Sequence, residues 1–98
     1  ALVLQLVEIF LEHTPVRMGQ IQGGLDETDL EVAERGAHSL KSSAGNLGAR
    51  RLERVAARIE EHASRGEAEE ATDLLVELES TYQEARTALR ALKEKMEE

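Results

Sequence analysis

A chain of 98 residues with no cysteine and a formal charge of −8 at pH 7 has the length of one small domain, able to bury roughly 60–70% of its unfolded surface, and no disulfide or thiolate chemistry to draw on. Its acidity and its two aromatic residues, Phe10 and Tyr82, argue against nucleic acid, which needs basic surface and stacking faces, and against direct contact with a membrane surface. No apolar run approaches the roughly 20 residues that span a bilayer, and the start lacks the order of a signal peptide.

Helices are expected throughout, because only Pro15 and the glycines break the apolar periodicity and β-branched runs are absent. The first covers about residues 1–12, with Leu2, Leu6, Ile9 and Phe10 on its apolar face. Thr14 followed by Pro15 reads as a cap and first-turn pair, so a second helix starts at 15 and stops at Gly23, where a glycine pair begins. Asp29 can cap a third helix over 29–46, whose stripe of Leu30, Ala33, Ala37, Leu40, Ala44 and Leu47 is spaced by threes and fours. The Asn-Leu-Gly at 46–48 offers a left-handed residue to end it. A fourth helix over 49–64 turns Leu52, Val55, Ala56, Ile59 and Ala63 inward before Arg65 and Gly66 reverse the chain. A fifth runs over 67–96 with Ala71, Leu75, Leu78, Tyr82, Ala85, Leu89, Leu92 and Met96 in a heptad-like stripe.

Short connections make successive helices antiparallel. The expected fold class is therefore all-α: an antiparallel up-down four-helix bundle with an additional N-terminal helix packed across one end. The last stripe also fits a coiled-coil dimer seam, but the complementary stripes on the third and fourth helices favour a bundle core, and a monomer. Ala1 and Leu2 already fit the helical pattern and no methionine precedes them, so residues 1–98 read as one domain of a longer protein, which could itself be membrane-anchored.

The chemistry concentrates at residues 37–49. At about 100° per residue, His38 stands roughly 130° from the centre of its helix's apolar stripe, so its imidazole faces solvent. Ser42 at i+4 and Gly45 at i+7 share that surface and are small enough to let a partner reach the ring. Lys41 at i+3 can lay its stem on apolar surface and swing its ammonium toward whatever His38 carries. These are the needs of a phosphoryl-accepting histidine.

The run Ala37, His38, Leu40, Lys41, Ser43, Asn46, Leu47, Gly48 and Ala49 resembles the signature of histidine-containing phosphotransfer (HPt) domains, and the flanking helices resemble the first and last helices of that family. One position departs from its pattern: Ser42 stands where the family usually has glycine. The resemblance implies a phosphorelay carrier in two-component signal transduction, not an enzyme. His38 would take a phosphoryl group from a receiver-domain aspartate and pass it to another receiver, as a phosphoprotein without a nucleotide site. It implies response-regulator receivers as partners, with a histidine kinase as a further candidate, a cytoplasmic setting, and a parent such as a hybrid sensor kinase. No cofactor is expected on this domain, the Mg²⁺ being the receiver's.

Charge adds to this reading. Between Arg35 and Arg58 lie six basic residues, Arg35, Lys41, Arg50, Arg51, Arg54 and Arg58, against the single acid Glu53. Such a collar would steer an acidic receiver toward His38, with Arg35, Ser42, Gly45, Arg54 and Arg58 as the expected contact residues, although any one arginine could be an ordinary solvated charge. Counting back from a turn near Gly48 sets His38 opposite residue 58, within reach of Arg58 and Glu60. Members of the family often carry a polar residue here that bonds the histidine, and Glu60 is the expected one; pairing with an arginine is the alternative. His38, Lys41 and Glu60 form the candidate reaction centre. His13, at a helix end, and His62, with no second ligand at i+4, carry no expected role, and no metal site is expected. The competing reading is a structural bundle or coiled-coil interaction module without phosphotransfer.

Overall fold

A computed structural model describes all of residues 1–98. It contains α1 (Leu2–Asp26), α2 (Leu30–Asn46), α3 (Arg50–Ser64), α4 (Ala68–Asp73) and α5 (Leu75–Met96), and no strand. Helix α2 packs on α1 and α3, and α5 packs on the same two helices, so α2 and α5 occupy opposite corners of an antiparallel four-helix bundle. The short α4 leads into α5 along α3 and α1.

The core is one cluster to which every helix contributes, including Phe10 and Ile21 from α1, Leu40 from α2, Ile59 from α3, Ala71 from α4 and Leu78 from α5. The stripes expected on α2 and α3 are those that are buried, with Leu30 and Leu47 at the ends of the α2 stripe only partly so. Leu78, Tyr82 and Leu89 of the last stripe lie in this core, whereas Leu92 and Met96 at its C-terminal end remain exposed.

The expected separate N-terminal helix, with a break at residues 13–14, is absent. Residues 2–26 form a single helix through Pro15 and past the glycine pair. The reason lies in packing: Val7, Phe10, Thr14, Ile21 and Leu25 make one continuous buried stripe, and splitting it would strand half of that apolar surface. Pro15 is on the exposed side, where water can meet the carbonyl that its missing N–H leaves free. The same stripe corrects the inward face near the N-terminus. Val7 and Phe10 are buried, whereas Leu2, Leu6 and Ile9 remain exposed.

The expected fifth helix is interrupted once. At Leu74 the backbone N–H bonds Ala71 O, three residues back, and Thr72 Oγ1 takes Ala68 O at 2.8 Å, a competition that bends helices. Leu74 is buried at the bend.

Three turns repeat one geometry. After α2, Gly48 has φ +73°, and the N–H groups of Gly48 and Ala49 return to Gly45 O and Ala44 O. After α3, Gly66 at φ +78° does the same through Ala63 O and His62 O. These are paired-carbonyl helix ends that favour glycine. After α1 the same two bonds form, Thr28 N to Leu25 O and Asp29 N to Gly24 O, but the left-handed residue is Thr28, at φ 56°. A β-branched residue is strained there. Thr28→Gly is therefore expected to stabilise the domain by about 1 kcal/mol, read as a higher urea midpoint at unchanged slope. Asp29, the expected cap, accepts from Val32 N at 3.3 Å and starts α2.

Candidate functional site

The α2 stripe that is buried against α1 and α3 forces the opposite side of α2 outward, and His38 sits there with 62% of its side chain exposed. Across the α2–α3 groove, Ile59 goes into the core. The next residue, Glu60, is rotated about 100° from it and points along the flank toward α2. Its carboxylate bridges two residues of that helix: Glu60 Oε2 is 2.6 Å from His38 Nδ1, and Glu60 Oε1 is 2.6 Å from Lys41 Nζ. The exposed His38, the half-covered Lys41 and the largely covered Glu60 form a graded cluster, wet at the ring and drier at the carboxylate.

The electrostatics follow from that gradient. Burial works against ionisation of Glu60, but the hydrogen bonds from Lys41 and His38, with the charges behind them, outweigh it and lower its pKa from the ordinary value. An ionised carboxylate only accepts hydrogen bonds, so the neutral imidazole must place its proton on Nδ1. That leaves the lone pair on Nε2, the ring nitrogen directed away from Glu60. The arrangement presents an exposed nitrogen nucleophile whose tautomer is set from behind.

The other expected site residues divide. Ser42 is exposed on the His38 surface and its hydroxyl makes no internal hydrogen bond, whereas Ser43 Oγ returns to Ser39 O at 3.0 Å. Gly45 is tighter than an open approach requires, since a Cβ there would stand 2.7 Å from Glu53 Oε2; its smallness makes room for α3 as well as for a visitor. Arg35 and Arg54 are exposed and in no ion pair. Arg58 does not join the cluster. Two residues from Glu60 it projects from the far side of α3, 3.4 Å from Glu77 of α5, and Arg51 is likewise engaged, 2.7 Å from Glu84. Half of the α3 arginines in the expected collar thus face α5, because a helix two residues on has turned by more than half a circle.

Counting from the sequence missed one grouping. His62 Nδ1 is 2.8 Å from Glu67 Oε1, and His62, Glu67 and Glu70 each offer a ligand atom within 4.8 Å of the others. This is the one set in the domain that could gather a metal ion. Its members straddle the Gly66 turn, so the i+4 spacing searched in the sequence could not find them. No helix of the chain is long and apolar enough to cross a membrane.

No curated protein and no solved structure matches the chain. The family model for the Hpt domain does, over residues 5–96, which takes in all four bundle helices, His38, Lys41 and Glu60. Hpt domains serve histidine phosphotransfer in phosphorelays, as phosphocarriers that meet receiver domains and kinases. A histidine held outward on a helical bundle, within a match that spans nearly the whole chain, makes this protein a member of the Hpt domain family.

Proposed function

We propose that this domain carries a phosphoryl group on His38 Nε2, accepting it from the aspartyl phosphate of one receiver and delivering it to the aspartate of another. The observation that supports this most directly is the Glu60 carboxylate bridging His38 and Lys41. The Nε2 lone pair forms the N–P bond while the P–O bond to the receiver's aspartate breaks, its electron pair leaving with the carboxylate. His38 keeps its Nδ1 proton, so the phosphorylated ring carries a positive charge, which faces Glu60 across the 2.6 Å contact. Glu60 therefore does two things: it selects the tautomer that frees Nε2, and it stabilises the ring charge that develops on transfer. Lys41 holds Glu60 in place and has two further N–H groups for incoming phosphoryl oxygens. Little covalent help is needed beyond positioning and charge neutralisation.

Mg²⁺ belongs to the receiver in this scheme, and the domain itself uses no cofactor. It acts as a monomer, turning over no substrate of its own.

Glu60→Ala is expected to slow transfer to His38 by about 10-fold or more, the scale on which hydrogen-bond partners of metal-bound imidazoles act, without loss of helicity. Glu60→Gln, which accepts a hydrogen bond but carries no charge, should fall between. Single-turnover transfer from a phosphorylated receiver with Mg²⁺ measures both, and unchanged rates in the alanine variant would remove Glu60 from the mechanism.

A further inference from the structure

The Lys41–Glu60 pair is close to neutral as a unit, because the two charges sit 2.6 Å apart. A phosphoryl group on His38 brings about two negative charges at neutral pH. The α3 flank of the ring therefore offers it little net charge. The chain as a whole, at −8, repels it.

The opposite flank differs. A shallow cavity between α1 and α2 is lined by Arg17, Gln20, Val32, Arg35 and Ser39, with no acid among them. Arg17 donates to Gln20 Oε1 at 3.1 Å, and neither arginine is in an ion pair. Arg35 is three residues before His38, on the side of α2 that faces α1, while Ser39 follows His38 directly. Two directions bring the ring and this cavity together. Helical side chains lean toward the N-terminus, so the His38 ring tips back over the turn that holds Arg35. The Nδ1 contact with Glu60 on the α3 side also turns Nε2 away from α3.

We infer that Arg35, assisted by Arg17, is a second cationic arm that neutralises the phosphoryl group on His38 from the α1 side, opposite the Lys41–Glu60 pair. This rests on the carrier reading of His38 and adds to it one residue that meets the phosphoryl group, Arg35, and one that positions it, Arg17. Arg35 supplies a planar fork suited to two phosphoryl oxygens. Arg17, fixed by Gln20, raises the local potential and keeps Arg35 turned toward the ring. The sequence shows Arg35 as a member of a basic run and an expected receiver contact; Arg17 lies outside that run and joins it through the α1–α2 packing.

The test is single-turnover transfer from a phosphorylated receiver with Mg²⁺ to the full chain and to Arg35→Gln, Arg17→Gln, the double variant and Arg35→Lys, each with its thermal melt. Arg35→Gln should transfer about 10-fold more slowly at an unchanged melting temperature, and the double variant more slowly still. Arg35→Lys, which keeps the charge but loses the fork, should recover only part of the rate. The loss should shrink in high salt, as a screened charge requires and a packing defect would not. A double variant within twofold of the parent, with the parent labelled on His38, would overturn the arginine arm and leave the carrier reading standing. An unlabelled parent would overturn both.

Discussion

His38→Gln should reduce phosphoryl label on the chain to background, in the presence of a phosphorylated receiver and Mg²⁺, while the domain stays folded. Glutamine keeps a similar length and an N–H that can still reach Glu60, but it has no ring nitrogen with a free lone pair. The side chain is 62% exposed, so the stability change should stay within about 0.5 kcal/mol. The measurement is an acid-labile, base-stable phosphoryl group on the parent and its absence from the variant, beside matched thermal melts. Acid-labile label on the variant would move the acceptor to another histidine, His13 or His62. A structural bundle would behave differently, since the substitution would then leave every activity of a parent protein intact.

Gly23 and Gly24 should respond to alanine with opposite signs, although they are neighbours in one helix. A Cβ on Gly24 would stand 2.7 Å from Ala33 N and 2.9 Å from Asp29 O, and both are backbone atoms at the start of α2. They cannot move without opening the turn that launches the His38 helix, so Gly24→Ala is expected to cost about 2 kcal/mol, in the range of overpacked cores. A Cβ on Gly23 meets nothing within 4 Å, so Gly23→Ala should gain up to about 1 kcal/mol from helix propensity alone. Urea denaturation of the two variants checks both values. Equal shifts of the same sign would mean that α1 and α2 do not approach as closely as the structure has them.

These glycines show where sequence reasoning loses its grip. Read locally, a Gly-Gly pair ends a helix, and Thr-Pro begins one. Both readings are sound for an isolated segment, and both fail here because the stripe from Val7 to Leu25 is buried along its whole length. Burial of that surface outweighs a single lost hydrogen bond at Pro15 and the low propensity of two glycines. Conversely, the α2 and α3 stripes were legible because their apolar residues keep the 3.6-residue period without a gap, and a lone interior glycine such as Gly36 does not interrupt it. The Leu74 bend left no mark on the apolar pattern, since Ala71, Leu74 and Leu78 are buried on both sides of it.

The outward position of His38 and the company of Lys41 come from spacing within one helix, which chain geometry settles by itself. That residues near 58–60 of the next helix lie opposite His38 also follows from counting across a short turn. Counting sets a level along the helix, however, and not a direction around it. Which of Arg58 and Glu60 faces the ring depends on the rotation of α3, and the burial of Leu52, Val55, Ala56 and Ile59 fixes that rotation, sending Glu60 to α2 and Arg58 to α5.

The sequence by itself therefore determined an all-helical domain, the exposed histidine and its nearest cation, because these depend on periodicities inside single helices. The family resemblance singled out Glu60 beside Arg58, and tertiary structure decided that Glu60 is the one that reaches His38, as it alone decided the unbroken α1, the meeting of Arg17 with Arg35 and the grouping of His62 with Glu67 and Glu70. Each of these is a relation between elements or across a turn, set by how apolar faces rotate to share one core.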